Sequence, residues 1–68
     1  MKAISGKRMC RALERQGWEL VRVTGSHHIF EKPGHSDVVV VPVHANRDLK
    51  PGTQRGIMKD AELEEGDL

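Results

Sequence analysis

The chain has 68 residues, which is enough for one small domain and excludes two. Hydrophobic residues make up 37% of it, and no apolar run approaches the roughly 20 residues of a membrane-spanning helix. The first five residues lack the basic start and apolar centre of a secretory signal, so we expect a cytoplasmic protein without membrane contact. Because Cys10 is the only cysteine, a disulfide within the chain and a zinc cluster of thiolates are excluded.

The formal net charge of +1 hides an uneven distribution of charge. Residues 1–59 contain all 11 lysines and arginines and five of the ten carboxylates, whereas residues 60–68 contain the other five carboxylates and no cation. A basic body is typical of a protein that meets a polyanion, and an acidic end would either repel phosphate or shield the basic surface. Solvated surfaces and frayed termini also segregate charge, so this pattern alone does not identify a partner.

The first predicted element is a helix from about Gly6 to Gln16. Ser5 is a good N-cap for it, and Met9 and Leu13 recur at the spacing of one buried side. Gly17 fits a left-handed stop at its end.

Three strands rich in β-branched or aromatic residues follow. They are predicted at 18–23, 28–31 and 38–41, and the turns between them contain Thr24-Gly25-Ser26 and Pro33-Gly34. Pro42 ends the third strand because it has no N–H to donate. The short connections predict a three-stranded antiparallel meander.

A second helix is predicted from near Pro51, a residue suited to the first turn, with Ile57, Met58 and Ala61 on its apolar side. The element order is therefore α-β-β-β-α, an α+β fold. Residues 1–63 form the single domain, and residues 64–68, here named the acidic tail, are predicted to be disordered.

The strongest candidate for chemistry is a pair of histidines directly after a glycine turn. Side chains alternate across a strand, so if Phe30, the only phenylalanine, points into the core, His28 shares its side and His27 projects to the other face. The same alternation argues against both histidines binding one metal ion, and no other metal-ligand spacing is present. His27 is therefore the candidate catalytic residue, with no metal and no cofactor.

The residues around His27 suit cleavage of an RNA backbone. In that reaction a base activates the ribose 2′-hydroxyl or a water, and an acid protonates the leaving oxygen. Gly25 permits close approach of a backbone, and Ser26 offers a hydroxyl and an amide. One histidine does not easily serve both proton transfers, so His44 is the candidate second group. The cations that could hold phosphates are Lys7, Arg8, Arg11 and Arg22.

Each candidate also has a plain structural interpretation. A Gly-Ser turn more often only connects the two strands of a hairpin than forms a catalytic loop. His28 is expected to be packed or hydrogen-bonded. His35 is expected to be a solvated turn residue, while Cys10 and Trp18 are expected in the core. With 3% aromatic residues and no tyrosine, the chain lacks the stacking surface of most single-strand binders, which favours recognition by shape or backbone.

Several segments in order resemble the HicA toxins of bacterial and archaeal toxin–antitoxin pairs, and the resemblance covers almost the whole chain. It implies a fold like the double-stranded-RNA-binding domain, with both helices on one face of the sheet. The segments are Gly17-Trp18, residues 21–30, Val41-Pro42 followed by His44, residues 49–53 and residues 57–61.

The resemblance also implies an activity and a partner. It implies a toxin that cleaves mRNA without a metal ion, with the catalytic histidine directly after Gly-Ser, here His27. It implies a HicB-like antitoxin that covers the active site. The chain departs from the family pattern at Gly56 and in its acidic end, which bear on stability and RNA affinity. Because the core is thin, weak self-association is also expected.

Two other functions stay open from the sequence. The first is a non-catalytic module of the same fold, like a double-stranded-RNA-binding domain, in which His27 only contacts the groove. The second is an interaction protein whose basic face docks an acidic partner. Salt-sensitive RNA binding without cleavage would indicate the first, and a neighbouring gene for a HicB-like protein would indicate the toxin.

Overall fold

The chain folds in the predicted α-β-β-β-α order, as seen in a computed structural model that describes all of residues 1–68. The α+β fold class is confirmed. The elements are α1 (Gly6–Arg15), β1 (Glu19–Thr24), β2 (His27–Glu31), β3 (Val39–Pro42), α2 (Pro51–Ala61) and a 3-10 helix (Glu65–Asp67).

Helix α1 begins and ends as its sequence predicts. The Ser5 side-chain oxygen accepts a hydrogen bond from the Arg8 amide at 3.1 Å, which satisfies one of the donors left free at a helix start. Gly17 adopts a φ of +93°, and the Trp18 amide donates to the Leu13 carbonyl at 3.0 Å. This left-handed residue ends the helix and turns the chain into β1.

The sheet is an antiparallel meander in the order β1-β2-β3. Phe30 lies opposite Leu20 on β1 and Val39 on β3, while His27 lies opposite Thr24 and Pro42. The register of β1 shifts between Leu20 and Arg22, so one extra residue is accommodated there. Strand β2 begins one residue earlier than predicted, because His27 pairs with both neighbours.

Both helices pack on one face of this sheet. The inward side chains of the strands, Phe30, Val39 and Val41, are each at most 2% exposed and belong to one apolar core with residues of α1 and α2. The opposite face has no covering layer, and Val40 on it is 41% exposed. We name this uncovered side of the sheet the open face.

A buried amide fixes the N-terminal segment against α2. Gln54 is fully buried; its Oε1 accepts from the Ile4 amide at 3.1 Å and its Nε2 donates to the Lys2 carbonyl at 2.7 Å. The Leu49 amide donates to the Ile4 carbonyl at 2.8 Å. These bonds hold the end of the β3–α2 connection against the start of the chain.

Neither helix combines the length and hydropathy that a membrane span requires. The acidic tail was predicted to be disordered, yet Glu65–Asp67 form a 3-10 helix and Leu68 packs half-buried against the core. A local bond between the Glu64 amide and Asp67 closes this turn, and contacts with α1 and the Met1 ammonium, which the sequence of the tail does not reveal, hold it in place.

Candidate active site

A two-residue turn brings His27 to the start of β2. Gly25 adopts a φ of +58°, a conformation that L side chains rarely take. The flanking residues Thr24 and His27 are the last cross-strand pair of the hairpin. The glycine is therefore required by the turn, and the turn places the first imidazole at the mouth of the hairpin.

Of the two adjacent histidines, only His27 lies on the open face. It is exposed, whereas His28 is half-buried on the helix side of the strand, and its Nδ1 is buried without a hydrogen-bond partner. This distribution follows from the inward position of Phe30, as the alternation of side chains requires. An imidazole in this position is accessible to a large substrate.

Two strands supply the neighbours of His27 on the open face. Thr24 of β1 and Pro42 of β3 lie directly opposite it, where Cβ atoms are about 4.5–5.5 Å apart. Arg22 pairs with Ile29 and is thus the diagonal neighbour of His27, at roughly 7–8 Å. A guanidinium group therefore lies within reach of a phosphate held at the imidazole.

Beyond Pro42, the β3–α2 connection forms a cleft of about 300 Å³, which we name the polar cleft. Its wall contains two cations, one carboxylate and the imidazole of His44. Pro42, the β3 residue paired with His27, forms part of this wall, so the cleft begins one strand away from His27. The lining residues are Pro42, His44, Arg47, Asp48, Leu49, Lys50 and Thr53.

A tight turn shapes the cleft. The Arg47 amide donates to the His44 carbonyl at 3.0 Å, and Ala45 within this turn has a φ of +51°, which is costly for a residue with a Cβ. Lys7 Nζ donates to Asn46 Oδ1 at 3.4 Å, so the first turn of α1 braces the same loop. Helix α1 comes this close to β3 because Gly6 lies against the Pro42 carbonyl.

The structure separates the predicted phosphate-binding residues into two groups. Gly25, Ser26 and Arg22 lie at the hairpin, and Lys7 bonds to Asn46 in the loop that forms the polar cleft. Arg8 and Arg11 lie on α1, in the layer on the other side of the sheet, and Arg8 Nη2 donates to the Leu68 carbonyl at 3.3 Å. Not all of the predicted phosphate-binding residues therefore lie near His27.

Sequence reasoning overlooked the cations of the polar cleft, Arg47 and Lys50. Both lie in a stretch predicted only as polar loop. They reach the cleft because of the path that the loop takes, and not because they belong to a sequence motif. Two basic residues directly before a helix that begins with Pro51 are the signal that could have identified them.

Three residues that have a structural interpretation from the sequence, Trp18, His35 and Cys10, lie on the helix side or in turns. Trp18 is in the core at 2% exposure, and His35 is not the solvated turn residue predicted, because its half-buried ring packs edge-on against Trp18 with centroids 4.7 Å apart. Partial burial, with a smaller contribution from Glu14, raises the pKa of Cys10 to about 11. No group of three or more potential ligands is arranged to hold a metal ion.

A comparison with protein-family models identifies the family of this chain. A model of the HicA toxin of bacterial toxin–antitoxin systems matches residues 6–63. The chain belongs to the HicA toxin family. A comparison with curated proteins gives no match. The HicA match contains every element from α1 to α2 together with His27 and the polar cleft, and it ends before the acidic tail.

Proposed function

We propose that this HicA-family toxin is an endoribonuclease that cleaves mRNA, with His27 as a general acid or base. The observation that carries the proposal is the position of His27. It is the only histidine on the open face, and it lies between Arg22 and the polar cleft. A nucleotide chain crossing the end of the sheet would meet a proton-transfer group with cations on both sides.

The chemistry assigned to these residues is proton transfer with charge stabilisation. His27 takes a proton from the 2′-hydroxyl or water that attacks the phosphorus, or gives a proton to the oxygen that leaves. Arg22 and the cations of the polar cleft stabilise the additional negative charge on the phosphate oxygens. His44, in the cleft wall beyond Pro42, is the proposed second proton-transfer group. This scheme uses no metal ion.

The open face also offers a surface for the proposed HicB-like antitoxin. A shallow groove of about 390 Å³ crosses it, lined by Val21, Arg22, Ile29, Glu31, Val38 and Val40. Val21 and Val38 are each 48% exposed, and exposed apolar patches of this kind mark interaction sites. Because Arg22 belongs both to the groove and to the surroundings of His27, an antitoxin bound there would exclude RNA from the imidazole.

The decisive variant is His27→Ala. General acid–base catalysis typically contributes about 10²–10⁴-fold to a rate, so cleavage of a labelled RNA by the purified variant is expected to fall by that factor. Induced expression in a bacterial host should no longer arrest growth. Glu31→Gln is the matched control, because Glu31 is exposed on the same strand and the same face but lies away from the hairpin turn.

Circular dichroism of both variants must match the unsubstituted protein. A folded His27→Ala protein that still cleaves RNA and arrests growth would refute the catalytic assignment. If the unsubstituted protein binds RNA without cutting it, the non-catalytic RNA-binding module is correct instead. Coexpression of a HicB-like protein from a neighbouring gene should restore growth, and failure to do so would contradict the proposed partner.

A further inference from the structure

Helix α1 presents a row of guanidinium groups away from the open face. Arg8, Arg11 and Arg15 are all exposed, and their spacings of three, four and seven residues place them on one side of the helix. We name these three residues the arginine ridge. Because the sheet lies between the ridge and the open face, the ridge does not border His27.

The acidic tail is folded back onto this ridge. Helix α2 ends at Glu62, which has a φ of +57°, and Leu63 then packs into the core at 7% exposure. Within the tail, the Glu64 amide donates to Asp67 Oδ2 at 2.7 Å, which closes the 3-10 turn. The left-handed residue and the buried leucine together direct the chain towards α1.

Three hydrogen bonds join the tail to α1. Arg15 Nη2 donates to the Asp67 carbonyl at 3.1 Å, Arg8 Nη2 donates to the Leu68 carbonyl at 3.3 Å, and Gln16 Nε2 donates to Asp67 Oδ1 at 3.4 Å. The tail therefore places an anionic segment along two of the three arginines. Oxygen atoms of the tail occupy positions where phosphate oxygens of a bound polyanion would accept the same donors.

We propose that the arginine ridge is a second surface for the RNA backbone and that the acidic tail occupies it as an intramolecular competitor. The proposal rests on RNA being the substrate, as argued above. The tail lies outside the part of the chain that matches the HicA family, so the competitor is an addition to the matched domain. Its contacts are exposed hydrogen bonds, which are individually weak, and RNA at sufficient concentration displaces them.

The test measures RNA affinity with the tail neutralised. Glu64→Gln, Glu65→Gln and Asp67→Ala are combined in the full chain, in a His27→Ala background so that RNA is bound and not cut. Asp67→Ala removes the acceptor that closes the tail's turn, and this turn presents the two backbone carbonyls to Arg8 and Arg15. The probe is a fluorescent single-stranded RNA of about 20 nucleotides, longer than most single-domain sites. We expect Kd to fall roughly tenfold at low salt. The slope of log Kd against log salt should steepen by about 1.4, at roughly 0.7 per phosphate contact of a single strand, because two arginines become free for phosphates.

A matched control separates local release from a general change in charge. Asp37→Asn, Asp60→Asn and Glu62→Gln alter the net charge equally, and these exposed residues make no side-chain hydrogen bond to α1 and line neither the open-face groove nor the polar cleft. If this control gains as much affinity as the tail-neutral variant, the proposal is wrong. When Arg8→Gln and Arg15→Gln are added to the tail-neutral variant, the gain in RNA affinity should disappear. The same two substitutions in the protein with an intact tail should change Kd less than about threefold.

The tail can also be followed without altering its sequence. In ¹⁵N-labelled His27→Ala protein, saturating RNA should move the amide signals of Asp67 and Leu68 towards random-coil positions. Unchanged signals at saturation would overturn the proposal. If the protein with His27 intact does not cleave RNA but RNA still displaces the tail, only the proposed catalysis is refuted, whereas no RNA binding by any variant would overturn both proposals.

Discussion

The same substitution at two helical glycines should change stability in opposite directions. In a helix, alanine is favoured over glycine by about 1 kcal/mol. At Gly56 a Cβ would meet nothing within 4 Å, whereas at Gly6 it would overlap the Pro42 carbonyl oxygen and lie 3.1 Å from the Val43 Cα. Overpacking costs about 1–3 kcal/mol, and the upper part of that range applies here because backbone atoms cannot rotate away.

Gly6→Ala should therefore destabilise the fold by about 1–2 kcal/mol, while Gly56→Ala should stabilise it by about 1 kcal/mol. For a domain of this size, 1 kcal/mol corresponds to roughly 4–8 °C in Tm. Thermal melts followed by circular dichroism, with urea titrations to obtain the free energy of unfolding, measure both. If Gly6→Ala raises Tm as Gly56→Ala does, α1 does not approach β3 as closely as described.

The remaining predictions concern two side chains, Gln54 and Cys10. Gln54→Leu should lower the free energy of unfolding by about 1–3 kcal/mol, because the buried Ile4 amide loses its acceptor; urea titration measures this, and an unchanged midpoint would contradict the role of the buried amide. Because the pKa of Cys10 is raised from 9.0 to about 11, the thiolate fraction at pH 8 falls roughly 100-fold and iodoacetamide should react correspondingly slower with folded than with urea-unfolded protein. Since the raised pKa belongs to the folded state, the contribution of Cys10 to stability should decline as the pH rises from 9.0 to about 11. Equal alkylation rates would show that the thiol is not buried.

The elements of the fold were predictable because each has a local signal. Ser5 and Gly17 mark the ends of α1, and the apolar runs with glycine turns between them mark the strands. The position of Phe30 then assigned a face to His27, since alternation along a strand is a property of the backbone. The strand boundaries differ by one residue where pairing partners, rather than propensity, decide the last residue of a strand.

Features that depend on contacts between distant segments could not be predicted. Gln54 is polar in the sequence, and its burial is evident only once the Ile4 amide is placed beside it. His35 lies in a turn, and its packing depends on where Trp18 enters the core. The tail has the composition of a disordered segment, and its position depends on Arg8 and Arg15, which are more than 50 residues away in the chain.

The sheet divides the cations of this toxin into two sets that cannot act on one phosphate. Arg22 is the diagonal neighbour of His27 and the polar cleft begins at Pro42 beside it, so both can stabilise the charge that develops during the proposed cleavage. The arginine ridge lies on α1, behind the sheet, so it can add affinity for a longer RNA but no stabilisation at the reacting phosphorus. The acidic tail bonds to α1 and, through Glu65, to the Met1 ammonium, and it makes no hydrogen bond to the open face. It can therefore reduce RNA binding without obstructing the imidazole. Neutralising the tail should therefore lower KM without changing kcat, whereas substituting His27 should lower kcat.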